Sequence, residues 1–395
     1  MTVKPEDRLQ AIDGATLTPL VQQALGREGV EVAEWRYQPV TGGVEASSSL
    51  YRFSGNALAA GEVLPWTLIL KIVQAVPERS GDPQGVWYWK REALAYQSGL
   101  LRDLPGGLAA PRCYGVAEHP DGACQQAYWI WMEALQDEVG EWPLAGYGTV
   151  ARCLGQFNGA YLAGRPLPDH PWLTRRWLRR YVERAAPAVD LLLHSLDHPL
   201  IRRAVPGLTA GFIQRIWGER QAILEAIERL PQTFCHLDAF RRNLFLRREP
   251  SPHRTAAGGY QVVAVDWSYA GIAAVGEEIA PLVNASVALG AVHPADQLEL
   301  EQIVLHGYLE GLGEAGWRGN PDLVRFGYAA ASYWRYVVGA LIGEMIPWML
   351  DERHHAAVEQ AMGHSMQQGT DRTAAQLAFA EHVYEQAQRL KAALG

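Results

Sequence analysis

The spacing of apolar residues changes about a third of the way along the chain. Before residue 135, short alternating or continuous apolar runs dominate, a pattern that predicts strands. They cover Val30–Pro39, Ser49–Ser54, Trp66–Gln74, Cys113–Ala117 and Ala127–Ala134. Two stretches in the same region, Arg8–Leu25 and Val86–Leu101, repeat their apolar positions at helical spacing instead. From about Leu135 the period lengthens. Helices are predicted over Tyr147–Leu162, Trp172–Leu193, Thr209–Arg229, Ala295–Leu312, Pro321–Gly343 and Thr373–Ala393. One interruption is strand-like. FLRR (Phe245–Arg248) leads into a Pro/Gly/Ser-rich turn from Glu249 to Gly259 and then into YQVVAVDW (Tyr260–Trp267), the pattern of a hairpin. The prediction is an α+β protein with a small sheet-bearing part, then a large helical part that carries one hairpin.

Composition narrows the class. The chain has 395 residues, enough for two structural units, with 48% hydrophobic and 20% charged residues, as in a soluble globular protein. A net charge of −8 disfavours a nucleic-acid partner, because neutralising phosphates takes clustered Lys and Arg. Four scattered cysteines (Cys113, Cys124, Cys153, Cys235) show no CxxC spacing, so neither a zinc site nor a disulfide framework is indicated. Reduced thiols, a polar start (MTVKPEDRLQ) and a longest uncharged stretch that ends at Val292 after only Ile279 lead to an expectation of a cytoplasmic protein without a membrane partner. Lysine is scarce, at Lys4, Lys71, Lys90 and Lys391 only, and Lys71 stands inside an apolar run.

The chemistry concentrates in CHLDAFRRNLF (Cys235–Phe245) and VVAVDW (Val262–Trp267). Asp238 is followed five residues later by Asn243, and Asp266 ends the hairpin's second strand. Phosphoryl transfer asks for this set: a carboxylate to orient a hydroxyl and take its proton, and hard oxygen ligands to hold Mg²⁺ on a triphosphate. The order His236, Asp238, Asn243, Asp266 resembles the HxDxxxxN and DW elements of the aminoglycoside phosphotransferase and choline kinase branch of the protein-kinase-like superfamily. The resemblance implies a bilobal fold, with an antiparallel-sheet N-lobe over residues 1–132 and a helical C-lobe over 133–395. It makes Asp238 the catalytic base, Asn243 and Asp266 the Mg²⁺ ligands, and His236 a structural support. Leu237 stands where regulated protein kinases carry an Arg that reads a phosphorylated loop, so switching of that kind is not expected. Glu278 stands where the family has an Asp, with the same charge and a longer reach.

The same resemblance assigns the nucleotide side. Lys71 would contact the α- and β-phosphates and Glu92 would hold it; an unpaired ammonium in WTLILKIV would be costly to bury. The strand–turn–strand PVTGGVEASSSLYRFSG places Gly42, Gly43, Ser47 and Ser48 at the nucleotide loop. Met132 would lie against the base, with the backbones of Glu133 and Leu135 at its edge. The donor is ATP or GTP. The acceptor expected from the branch is an aminoglycoside-like molecule or amino sugar, with a choline-like amino alcohol or a sugar as the alternative. A non-catalytic nucleotide-binding protein is a rival of another class.

Other features carry less. GLGEAG (Gly311–Gly316) matches a dinucleotide pattern but follows a helix, so it reads as a helix end. His354, His355 and His364 read as surface residues. The serines Ser47, Ser48 and Ser49 lack a nucleophile elbow. Trp142, Trp172, Trp177, Trp217, Trp317, Trp334 and Trp348 fall in the helical part, where rings can pack a core or wall an acceptor pocket.

Overall fold

The computed structural model describes residues 9–40, 48–75, 81–120, 126–137, 139–248 and 260–394. It divides into two compact units: Met1–Pro83 with Trp87–Leu104 and Ala109–Asp137, and Gln84–Val86 with Pro105–Leu108 and Glu138–Gly395.

The first unit is built on five antiparallel strands. These are β1 (Glu31–Pro39), β2 (Ser48–Ala59), β3 (Glu62–Gln74), β4 (Cys113–Pro120) and β5 (Gln126–Glu133), in spatial order β1-β2-β3-β5-β4. Strand alternation sorts the two faces. Leu68, Leu70 and Ile72 of β3 join Phe53, Trp129 and Trp131 in a core that also takes Leu17 and Val21 of helix α1 (Gly14–Leu25). Within the stretch predicted as helical, α1 starts at Gly14, directly after Asp13. The Asp13 carboxylate accepts the Thr16 amide at 2.8 Å and so satisfies a donor of the first turn. β2 runs past the expected Ser54, because a bulge between Val32 and Glu34 brings β1 against Gly55. A Cβ there would stand 2.0 Å from the Glu34 carbonyl oxygen, so only glycine continues the strand. Helix α2 is shorter than its sequence period, Arg91–Gln97, and the turn before it lays Trp89 against Tyr128 of β5 with ring centroids 5.6 Å apart.

The second unit is mainly helical. α3 (Leu144–Leu162) lies along α9 (Gln297–Glu314) with almost no side chain between them: a Cβ on Gly155 would be 2.2 Å from the Tyr308 carbonyl oxygen. The predicted helix Trp172–Leu193 divides into α4 (Trp177–Glu183) and α5 (Ala186–Leu193), and Pro187 in the first turn of α5 explains why the hydrogen-bond ladder restarts there. α6 (Pro199–Ala204) and α7 (Ala210–Glu228, capped by Thr209) lead to four short strands. β6 (Gln232–Cys235) pairs with β9 (Gly271–Ala274), and β7 (Leu244–Arg248) forms the expected hairpin with β8 (Tyr260–Ala264). α8 (Ala280–Ala288) and α9 follow. The predicted helix Pro321–Gly343 is α-helical only to Tyr333, as α10 (Pro321–Tyr333), and continues as a π-helix over Trp334–Met345. The wider winding of a π-helix re-aims side chains and is frequent at functional sites. Four helices complete the chain: α11 (Ile346–Leu350), α12 (Glu352–Met362), α13 (Met366–Ala375) and α14 (Leu377–Leu394). Among the described residues no helix is long and apolar enough to cross a membrane.

Candidate active site

Strand β6 is held from below by α3. The buried Asn158 amide donates to the Phe234 carbonyl at 2.8 Å, and the Thr233 hydroxyl donates to the Asn158 carbonyl at 3.0 Å. The loop after β6 begins with His236, which is fully buried and acts as a two-sided staple. Its Nε2 faces the Val265 carbonyl at 2.9 Å, and its Nδ1 accepts the Asp238 amide at 3.1 Å. These partners require the proton on Nε2, hence a neutral imidazole. The ring is supported edge-on by Trp267, 4.6 Å between centroids, whose indole N–H donates to the Ala264 carbonyl at 2.9 Å. One histidine thus ties the segment bearing Asp238 to the segment bearing Asp266.

Asn243 closes this arrangement. Its side-chain amide donates to the Asp238 carbonyl and to Asp238 Oδ2, both at 3.0 Å, which turns its Oδ1 away from Asp238. Its backbone carbonyl accepts the Val265 amide at 2.9 Å, one position beyond the Leu244–Ala264 register pair of the hairpin. Asn243 and Asp266 therefore stand together at the open end of β7–β8. Two non-glycine residues here have left-handed backbone, Leu237 (φ 65°) and Asp266 (φ 63°). Such residues carry strain that the surroundings must sustain, and they cluster where a side chain is aimed for function. The oxygen donors of Asn243 and Asp266 suit Mg²⁺, which prefers a few protein oxygens with phosphates and water. Among the described residues no cluster of three or more His, Cys, Asp or Glu offers a competing metal site.

The sequence reading missed one group. Arg335, on the first turn of the π-helix, donates to Asp238 Oδ1 at 2.8 Å and also to the Leu237 carbonyl. It is only 8% exposed, and its guanidinium lies 4.5 Å over the Trp177 ring, with Tyr336 at 5.3 Å and Tyr269 at 5.9 Å. The available signal was the one that singled out Lys71: a lone cation in an apolar run, here WRYVVGALIGEM. Tyr336 also forms part of the wall of a cavity of about 620 Å³ between α7, α10, α13 and α14, but neither Asp238 nor Arg335 lines it.

The loop is capped from the other side by Glu278, whose Oε2 accepts the His236 amide at 2.8 Å and the Leu237 amide at 3.4 Å. The neighbouring Glu277 accepts the Ala274 amide at 2.8 Å. Burial dominates both carboxyls and pushes Glu278 up to about 8 and Glu277 up to about 7, against an ordinary 4.5, despite the amides that favour the anion. The folded protein therefore holds protons that the unfolded chain has already released. The stability they confer is complete below about pH 4.5 and is lost as pH rises towards 8. Glu278→Gln keeps an acceptor for the two amides without a titrating proton. From pH 5 to pH 8 the stability of the native protein relative to this variant should fall by a few kcal/mol at most, on the order set by a pKa displacement of this size. Urea unfolding at both pH values measures it; a pH-independent difference would show that the carboxyl is not the proton holder.

In the first unit Lys71 sits mid-sheet, opposite Leu50 on β2 and Ile130 on β5. Its ammonium meets Glu92 of α2 at 2.5 Å, and both residues are buried, at 5% and 2% exposure. Ser48 pairs in register with Val73, two residues along the strand from Lys71. Met132 is buried at the end of β5. The Glu133 amide is already committed to the Arg112 carbonyl at 2.9 Å. Leu135 follows β5 in irregular backbone. Gly42, Gly43 and Ser47 lie outside the described residues.

Most of the nominated tryptophans serve packing. Trp142 lies 4.4 Å beneath the Arg241 guanidinium, Trp217 4.2 Å beneath Arg220, Trp172 stacks on His170, and Trp334 is buried. Trp177 meets Arg335, which binds Asp238. The GLGEAG stretch ends α9 and its following turn, with Gly316 at φ 97°, as a helix end requires. His354 faces Asp351 at 3.0 Å, and His355 bonds the Met349 carbonyl at 3.1 Å.

A mixed α+β chain with this antiparallel sheet, this loop and this hairpin has a kinase-like fold, and solved structures bear that out. An amicoumacin kinase, solved with AMP-PNP, Ca²⁺ and Ami, is similar at a TM-score of 0.50 and 12% identity, over 94% of this chain and 96% of that one. A microcompartment-associated aminopropanol kinase is similar at 0.50 and 13%, over 94% and 99%. An ethanolamine kinase of Plasmodium vivax is similar at 0.50 and 11%, over 88% and 81%. At these identities the likeness is one of fold. No protein-family model matches the chain, and no curated protein matches it in sequence.

Proposed function

We propose that the protein is a small-molecule kinase, transferring the γ-phosphoryl group of ATP or GTP to an alcohol with Asp238 as the base. The supporting observation is the joint fixing of Asp238, Asn243 and the segment after β8 that bears Asp266: His236 ties Asp238 to Val265, and Asn243 bonds both Asp238 and the Val265 amide. Such pre-arranged polar groups are what phosphoryl transfer needs from a protein. Asp238 takes the acceptor's hydroxyl proton while the oxygen forms its bond to the γ-phosphorus. The bond to the β,γ-bridging oxygen breaks, and the nucleoside diphosphate leaves. Asn243 and Asp266 would hold Mg²⁺, which supplies charge neutralisation on the phosphates. Lys71, kept in place by Glu92, binds the α- and β-phosphates, with Gly42, Gly43, Ser47 and Ser48 as residues of the nucleotide loop. The base meets Met132, the Glu133 carbonyl and the Leu135 backbone.

The names of the solved neighbours point to amino-alcohol and antibiotic acceptors, and the resemblance of the motifs extends these to aminoglycosides and amino sugars. A sugar or sugar alcohol is the other acceptor reading, and Arg335 favours it. The test is a melting experiment with ATP and GTP. A nucleotide should raise the melting temperature more with Mg²⁺ than without, and Asp266→Asn should remove the Mg²⁺-dependent part while leaving the metal-free part. A scaffold shows no shift. A binding protein without catalysis shows the shift and never releases nucleoside diphosphate in step with a phosphorylated acceptor.

A further inference from the structure

We propose that the acceptor presents its hydroxyl to Asp238 with no cationic group beside it: an uncharged polyol or a hydroxy acid, and not an amino alcohol or amino sugar. The inference rests on the kinase reading and specifies its substrate class. The place where an ammonium would be attracted is already taken by the protein's own cation. The Arg335 guanidinium bonds the Asp238 carboxylate at 2.8 Å, and it cannot be discharged by deprotonation. The pair is nearly closed off from water, with the Arg335 side chain at 10% and the Asp238 side chain at 20% exposure, so its charges are poorly screened.

The rings around it point the same way. Trp177 stacks on Tyr181 at 4.8 Å and tilts against Tyr269 at 5.1 Å, which makes an aromatic wall of the kind that receives quaternary ammonium groups. The Arg335 guanidinium lies over that wall, 4.5 Å from the Trp177 centroid. A choline-like cation would have to displace an arginine that also bonds the Leu237 carbonyl. Of the neighbouring acids, Glu278 and Glu277 are buried and hold protons into the neutral range. Glu344, on the π-helix with Arg335, is a carboxylate that accepts the Tyr181 hydroxyl, whereas the group that bonds Asp238 is the Arg335 cation. A guanidinium fork has five N–H donors, and its planar geometry matches carboxylates and paired hydroxyls. Arg335 is therefore both a positioning residue for Asp238 and a selector of the acceptor's charge.

The experiment uses the full chain with Mg²⁺–ATP and acceptor sets that share a skeleton: ethanolamine, ethylene glycol and glycolate; glucosamine, glucose and gluconate. Choline serves as a melting probe. The native protein should show no choline-dependent rise in melting temperature. In any set that is turned over, the uncharged or acidic member should exceed the amine in kcat/KM by about tenfold or more, the scale of one like-charge contact. Arg335→Met, which empties the wall of charge, should acquire a choline-dependent rise, and Arg335→Lys, which keeps a cation there, should not. A native protein that is stabilised by choline or prefers the amines overturns the proposal, as does an Arg335→Met variant blind to choline. These outcomes leave the kinase reading standing. That reading fails separately, if the nucleotide and Mg²⁺ give no melting shift.

Discussion

Asp238→Asn should lower kcat by about 10²–10⁴-fold, the range a positioned general base contributes, with the nucleotide-dependent melting shift retained. The substitution keeps the side-chain shape and still offers an oxygen to Arg335, which donates to Oδ1 at 2.8 Å. It removes the atom that takes the acceptor proton. It also sets an amide donor against the Asn243 amide, which now donates to Asp238 Oδ2 at 3.0 Å, so a modest loss of stability of about 1–3 kcal/mol accompanies the catalytic loss. Steady-state phosphorylation at saturating nucleotide and acceptor reads the first effect, and denaturant unfolding reads the second. Undiminished turnover would remove Asp238 from the mechanism.

Glu92→Ala should destabilise the first unit by about 3–5 kcal/mol, because it leaves the Lys71 ammonium in a sheet interior without the carboxylate that meets it at 2.5 Å. The chemical role is separable from the structural one. Replacing both partners by apolar residues of similar size, Lys71→Met with Glu92→Leu, should recover most of the stability, since two well-packed apolar groups can match a buried ion pair. The double variant should nevertheless lose nucleotide affinity, because the Lys71 cation proposed for the phosphates is gone. If it binds ATP as the native protein does, Lys71 is a packing residue and its assignment to the nucleotide fails. Denaturant midpoints and nucleotide titration on the same samples give both answers.

The residues of the proposed site were legible because they are local. Asp238 and Asn243 are five residues apart on one loop, the hairpin announces itself by two strand runs about a Gly/Pro-rich turn, and Asp266 ends the second run. Lys71 was legible for an energetic reason, since a cation in an apolar strand demands a partner. Glu92 followed as the nearest acid on the next helix, and the two do meet. Element boundaries were less legible. The break between α4 and α5 rests on Pro187, a local signal, whereas the change from α to π winding after Tyr333 left no mark in the apolar spacing of Pro321–Gly343. For Glu278 the sequence shows a charge and a longer reach than Asp, but not what it meets. The fold supplies two amides for it to cap.

Local order in the chain thus dictated the two-part α+β plan, the composition of the loop and the order of its oxygen-bearing residues. Apolar period, turn residues and short spacings act through neighbours in sequence, so they can be read from it. Tertiary packing alone decided which groups meet those residues. His236 reaches Val265 across 29 positions, and Arg335 reaches Asp238 across 97. Contacts at such separations have no period to betray them. Their energies come from burial and charge pairing, which take effect only once the helices and strands have closed around them.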